Sequence, residues 1–484
     1  MNEQNSISRR SFLKYTAMFG AGAALAACAA PAAPAAPAAE APAAAEAPAA
    51  LELPFEVAPE AINPLGLEAG TPVEGVFFEG GLGRAYIDNA AEIFRALHPD
   101  NELSVAGIQR VGEQLRPRFI AGNPPDVIDN SGAGNLDRAA LVAEGQMLDL
   151  APLMAAPALD TPGKTFAESL MPGSQVNGVW DGVQRELDIT LTVFGIWHSR
   201  SLFEEKGWEY PKTWDDMLAL CEQIKSDGIS PWTYQGKFPQ YMVFGVLTPL
   251  IYKNGGMEAI IALDNLEDGA WENPAVVKAA EMMAELANRD FIMPGTEGLT
   301  HTEAQAEWLQ GKAAFIPCGS WLENEMRELT PEGFDMVVKP VPGETEDKFN
   351  SLLVNAGEEY FVPSQGANPV GGMEFMRCLM SKENAKFFAQ NVGVIMPVIG
   401  GTEGVELSSA LESALAAVNA AGDETFADKF YLGGWYSDLR SEVKDRTGDL
   451  LTKRITVDEF IAAMQKKADE IKADPDIIKY HREA

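Results

Sequence analysis

Cationic side chains, histidine and cysteine are all scarce in this chain, and each shortage closes a class of function. Lys and Arg number 37 against 71 Asp and Glu, for a formal charge of −34. The first 70 residues hold three basic and seven acidic side chains, so the rest still carries −30. A field of that sign repels phosphate backbones and anionic headgroups, which excludes nucleic acid as a partner. The four histidines, His98, His198, His301 and His481, are too dispersed for a metal cage, and the cysteines show no CxxC spacing. Neither HExxH nor GxSxG occurs; "QGKAAF" lacks the first glycine and the Ser/Thr of a P-loop, and "GGLGRAY" lacks the third glycine of a dinucleotide fingerprint. Carboxylates are so abundant that a catalytic pair could be drawn anywhere, and none is distinguished. No cofactor, no metal and no catalytic centre is expected.

Long hydrophobic runs are also missing. The apolar stretch from Tyr15 to Ala27 falls short of the ~20 residues that a membrane-spanning helix requires, and it follows Arg9 and Arg10. Ser8 to Lys14, "SRRSFLK", resembles the twin-arginine export motif, and Leu25-Ala26-Ala27-Cys28 resembles a bacterial lipobox. Residues 1–27 therefore read as a twin-arginine lipoprotein signal peptide, with Cys28 as the lipidation site. Residues 28–70 read as an Ala/Pro-rich linker with no apolar periodicity. The expected location is the outer face of the cytoplasmic membrane, reached by export and held through lipid. Cys221, Cys318 and Cys378 then form an odd remainder, set among apolar neighbours such as Leu218, Ile224 and Phe375, and are expected to be buried small hydrophobes.

The 414 residues beyond the linker are too many for one ordinary core and suit two. Strand and helix patterns alternate from residue 73, which predicts an α/β architecture. Strands are expected at Val73 to Phe78, Glu102 to Ile108 and Pro125 to Asp129, with "RAYIDNAAEIFRAL" as a helix. Asn273-Pro274 predicts a helix start, as do Thr213 with Asp216 and Thr456 with Glu459, while Gly228 closes the second of these helices. Three segments, "SPWTYQG", "PCGSWLENE" and "YLGGWYSD", set tryptophan beside Gly, Ser or Asn outside any clean period. An indole offers a flat apolar face to the C–H side of a pyranose, and nearby amides and carboxylates can take its hydroxyls, so these segments point to carbohydrate recognition.

"PRFIAGNPPDVIDNSGAG", "YPKTWDDMLALCEQIKSDGISPWTYQGKFPQYM" and "HTEAQAEWLQGKAAFIPCGSWLENEM" resemble the extracellular solute-binding lipoproteins of carbohydrate ABC importers, nearest to the N-acetylglucosamine and diacetylchitobiose branch. The resemblance runs from about residue 73 to the C-terminus. It implies a two-lobed periplasmic-binding-protein-like α/β fold of the maltodextrin-binding type, with ligand in a cleft between lobes. The first lobe would comprise 71–186 and 357–395, the second 187–356 and 396–484. It further implies a substrate site at Glu79, Asp129, Asn130, Tyr234, Tyr241, Trp321, Asn355, Trp435 and Tyr436. Partners would be a mono- or oligosaccharide and the importer's permease subunits, with the protein itself a monomer. The alternative from another class is an exported cell-surface enzyme acting on glycans.

Overall fold

The structure, a computed structural model, describes residues 53–483 apart from Gly81 and Ala133. The signal sequence and Cys28 lie outside the described residues. In chain order the strands are β1 (Val73–Phe78), β2 (Leu103–Ile108), β3 (Val127–Asp129), β4 (Val179–Trp180), β5 (Val183–Gln184), β6 (Glu186–Ser199), β7 (Ser230–Trp232), β8 (Ala313–Gly319), β9 (Met336–Lys339), β10 (Leu352–Phe361) and β11 (Thr425–Phe426). All but the β4–β5 hairpin join one mixed sheet, ordered β2-β1-β3-β10-β6-β8-β7, with β11 on β10 and β9 on β6.

At the first end of the sheet, β1 lies parallel to both β2 and β3. Apart from Glu74, which pairs with Arg118 at 2.7 Å, it places apolar residues on both faces, the pattern of a strand covered on each side. Val73 and Phe77 pack into a core with the helices Ala85–Leu97 and Pro369–Leu379, while Val76 meets Val111, Leu115 and Phe119 on the other face. A second, larger core gathers around β8 and the helices Trp214–Ser226, Pro274–Asn288 and Val457–Ala473. The antiparallel pair β6 and β10 runs through both. Leu187, Ile189 and Tyr360 belong to the first core, whereas Val193, Ile196, Leu352 and Leu353 belong to the second.

Local signals produce the expected helix ends. Asn273 accepts a hydrogen bond from the Ala275 amide, Thr213 accepts from Asp216, and Thr456 with Glu459 forms a full capping box. Gly228 takes φ 83° just past its helix, where a side chain would be strained. Cys221, Cys318 and Cys378 are buried and unpaired, and burial pushes the Cys221 thiol up to about 12.

Two expectations are corrected. Residues 53–70 are not linker: Ala61 and Leu67 are buried, Leu53, Phe55 and Val57 pack on the first core, and Arg377 donates to the Ala61 carbonyl at 2.7 Å. The large apolar residues of "LELPFEV" give this stretch surface to bury, which the Ala/Pro repeat before it lacks. Trp232, expected to serve carbohydrate recognition, is instead a core residue on β7, 1% exposed, its indole N–H 3.3 Å from the Cys221 sulfur. Among the described residues, no helix is long and apolar enough to cross a membrane.

Candidate functional site

Where β6 and β10 pass from one core to the other, their side chains floor a cavity of about 640 Å³, within the range of small-molecule sites. Alternation along β6 sends Thr190, Thr192 and Phe194 to the same face. Antiparallel register sets Thr192 opposite Asn355 and Thr190 opposite Gly357. Asn177 donates to Asn355 Oδ1 and orients that amide. Glu358 breaks the alternation. Its φ of 58° is left-handed within the strand, and it lines the same cavity as Asn355 and Gly357. Such a backbone costs about 1–3 kcal/mol at a residue other than glycine and clusters at functional sites.

The wall is the turn that ends β8. Ser320 Oγ accepts from the Val193 amide at 3.2 Å, which ties the turn to β6. Trp321 follows, half-buried, its ring edge-on to Phe194, Tyr241 and Phe244 with centroids 5.7, 6.0 and 6.0 Å away. Asn324 and Glu325 lie on the short helix Leu322–Met326 and also face the cavity. Gln305 donates to Glu325 Oε2 at 2.7 Å and holds that carboxylate in place. A second depression shares Leu82, Asn324 and Glu325 with the first, so the cleft continues toward Arg84 and Leu329. One aromatic wall faced by hydroxyls, amides and carboxyls suits a neutral, hydroxyl-rich molecule with a flat apolar side.

Carboxyls crowd the first-core end of the same strands. Asp129 is fully buried, accepts from Ser131 Oγ, and has its other oxygen without a hydrogen-bond partner. Burial pushes Asp129 well above the usual carboxylate range, and the Glu358 charge adds to the shift. Burial likewise pushes Glu358 up to about 7. Beyond them Arg138 bridges Glu186 and Glu359 at 3.3 and 3.5 Å. Among the described residues, no three His, Cys, Asp or Glu side chains are grouped to hold a metal ion.

Of the residues expected at a site, Tyr241, Trp321 and Asn355 line this one cavity. Asp129 sits behind Glu358 without lining it. Glu79 lies against Gly107 on the neighbouring strand β2. Asn130 is not available to a ligand: it is fully buried, its amide donating to the Leu136 carbonyl and accepting from the Leu136 amide to close the loop between. Tyr234 lines separate depressions with Glu297 and Arg454. Trp435 and Tyr436 are placed elsewhere too, 6% and 2% exposed, packed on Tyr480 beside a cavity of about 490 Å³ that also meets Asp137 and Ile478. Trp435 and Tyr436 find their partner in Tyr480, beyond the last helix, a tertiary contact that the local sequence does not report.

Sequence reasoning passed over Thr190, Thr192, Phe194, Ser320, Asn324, Glu325 and Glu358. Asn324 and Glu325 were findable as polar residues one helical turn from Trp321. Glu358 carried a weaker mark, paired acidic residues in an otherwise apolar strand, "LLVNAGEEYFVP". Nothing local marks the two threonines.

The family described as bacterial extracellular solute-binding protein matches residues 79–386, and a twin-arginine translocation signal matches residues 6–26. The diacetylchitobiose binding protein NgcE of Streptomyces coelicolor is 33% identical over 434 residues, 87% of this chain and 89% of its own length. Among solved structures, the apo form of RafE from Streptococcus pneumoniae superposes with a TM-score of 0.66 at 16% identity, covering 84% of this chain and 99% of that one. A chitin oligosaccharide binding protein gives 0.64 at 18% identity, over 82% and 98%. At these identities the likeness is one of fold.

Proposed function

The chain belongs to the bacterial extracellular solute-binding proteins, and from that premise we propose that it captures an N-acetylglucosamine-type sugar, chitobiose foremost, for an ABC importer. The observation that carries this reading is Trp321, an indole standing over a cavity whose floor is Thr190, Thr192, Asn355 and Glu358. Apolar stacking on one side and hydrogen-bonding groups on the other is what a pyranose requires. The similarity to a diacetylchitobiose binding protein over most of both chains supports the N-acetylated ligand.

The two cores act as lobes, assigned as 71–186 with 357–395 and 187–356 with 396–484, except that Leu187 and Ile189 of β6 pack in the first core and Trp180 in the second. Residues 53–70 extend the first lobe. The strands β6 and β10 are the hinge, since each contributes side chains to both cores. Sugar held against both lobes favours the closed state by its differential affinity for it. The protein acts as a monomer toward its permease, tethered by lipid on Cys28; Cys28→Ser is then expected to release it from membranes, and an unmodified Cys28 thiol in the wild-type membrane fraction would remove the tether.

Calorimetry with N-acetylglucosamine, chitobiose, maltose and xylobiose tests the ligand. Saturable binding of the N-acetylated sugars ahead of the others is expected, with labelled chitobiose recovered intact after long incubation. Preference for maltose or xylobiose would overturn the ligand assignment, and cleavage of chitobiose would establish the glycan-active enzyme instead.

A further inference from the structure

Glu358 is the one residue other than glycine, among those described as lining the cavity, whose backbone is held in a left-handed conformation, and behind it lies the fully buried carboxyl of Asp129. In an extended strand Glu358 would project opposite to Gly357, on the side where Tyr360 enters the first core. At φ 58° it reaches the cavity floor instead. Asp129, whose Oδ2 is buried with no other partner, stands within hydrogen-bonding reach of it. The fold therefore keeps a strained backbone that brings two carboxyl groups together at a ligand cavity.

Two carboxyls this close cannot both ionise freely: Asp129, the more deeply buried, keeps its proton, and Glu358 takes up a second one as pH falls through the neutral range. Hydrogen bonds from Ser131 and Asp129 ease a charge on Glu358 only in part, and burial with the Glu359 charge outweighs them. From β3 and its loop come Asp129 and Ser131, the Ser131 hydroxyl bonding Asp129; from the helix Ala85–Leu97 comes Tyr86, whose hydroxyl lies 3.0 Å from that of Tyr360. On β10 itself Glu359 adds negative charge, and on β6 Thr190 and Asp188 stand opposite Gly357 and Glu359. The nearby cation, Arg138, is turned to Glu186 and Glu359. Across the cavity Glu325 is another carboxylate, held by Gln305.

Resting on the reading that the ligand is an N-acetylated sugar, we propose that Glu358 selects it as a proton-bearing carboxyl that donates a hydrogen bond to the acetamido carbonyl oxygen. A carbonyl oxygen only accepts, so it is repelled by an ionised Glu358 and held by a protonated one. A plain sugar hydroxyl can donate or accept and is served by either state. Binding of the N-acetylated ligand is thus linked to a proton, and discrimination between acetamido and hydroxyl sugars depends on pH. Burial, which holds Glu358 at about 7, places this linkage in the neutral range.

The test is calorimetry of the purified protein with chitobiose and with cellobiose, its hydroxyl counterpart, from pH 6 to pH 9, in buffers of differing protonation enthalpy. Chitobiose affinity is expected to fall by about tenfold for each pH unit above the neutral range, with roughly one proton taken up per sugar bound at the alkaline end. Any cellobiose binding is expected to stay level. Glu358→Gln, which keeps an N–H donor, is expected to bind chitobiose a few-fold more weakly at pH 6 and to lose the slope, with its melting temperature recorded as a check on folding. Chitobiose bound with a level profile and no proton uptake in the wild type overturns this proposal alone. So does affinity that rises with pH, or a folded Glu358→Gln variant that keeps the wild-type slope. Absence of binding to any N-acetylated sugar at every pH overturns the functional reading and this proposal with it.

Discussion

A Cβ built on Gly319 would lie 2.0 Å from the Trp321 ring, so the glycine and the indole two residues on claim the same space. The ring can occupy the end of β8 because Gly319 projects no side chain there. Gly319→Ala is expected to swing the indole away and weaken sugar binding at least about tenfold, roughly 1.4 kcal/mol. Its melting temperature should change little, because the methyl group meets only a cavity-lining ring. Calorimetry on this variant decides it; wild-type affinity would show that the ring position is not what binds.

Trp321→Ala removes the stacking face outright. Burying one ring face contributes about 1.5–3 kcal/mol by area, with ring electrostatics adding about 0.5–1.5 kcal/mol. Affinity is expected to fall by about 2–4 kcal/mol, on the order of 30-fold to 1000-fold. A variant that melts much earlier yet binds normally at low temperature would make Trp321 a packing residue for Phe194, Tyr241 and Phe244.

Arg377 is wholly buried between Glu374 and the segment that precedes β1. Burial alone would push the Glu374 carboxyl up, but hydrogen bonds from His98 and Arg377 outweigh it and hold the group below its ordinary value. Removing the guanidinium leaves that buried carboxylate with His98 as its one remaining partner of those two. Arg377→Met should destabilise the protein by about 3–5 kcal/mol, measured by chemical unfolding. Limited proteolysis should cut first within residues 53–70, whose Ala61 carbonyl loses its donor; initial cutting elsewhere would count against this docking role.

His198 makes the protein sensitive to acid. Burial pushes its imidazole down to about 3 from 6.5, and the charges of Lys339 and Arg200 add to the shift. The folded pKa is lower than the unfolded one, so the unfolded chain binds the proton first. Stability from this group is therefore complete above pH 6.5 and is lost as pH falls toward 3, at up to about 1.4 kcal/mol per pH unit. His198→Phe keeps the ring packing on Phe203 and Tyr210, at 4.4 and 5.0 Å. Its acid-unfolding midpoint should move to lower pH; an unmoved midpoint would assign the sensitivity to other groups.

Much of this molecule is settled by contacts within a few residues along the chain. Thr456 meets Glu459, and Asn273 meets Ala275, across a single helical turn, so these boundaries can be read without knowing what the helices pack against. The same holds for β1, where apolar residues on both faces announce a covered strand. Trp321 was legible because Gly319 and Ser320 before it leave room for a ring at the end of a strand.

The rest of the site is decided by pairing across long stretches of chain. Thr190 and Thr192 become cavity floor only because β6 meets β10 in a register that sets them opposite Gly357 and Asn355. A one-residue slip would turn them to the other face. Glu358 reaches the cavity through a single left-handed dihedral, and Asp129 acquires its raised proton affinity only when burial strips away water and Glu358 is brought beside it. Trp232, Trp321 and Trp435 look alike in sequence, each beside small or polar residues, yet one fills the core, one lines the cavity and one packs on Tyr480. Local sequence determines where helices and strands begin and end, because capping and alternation act over a few residues. Which face of each element meets solvent, ligand or core depends on the burial of apolar surface summed over the whole fold, and that only the tertiary structure decides.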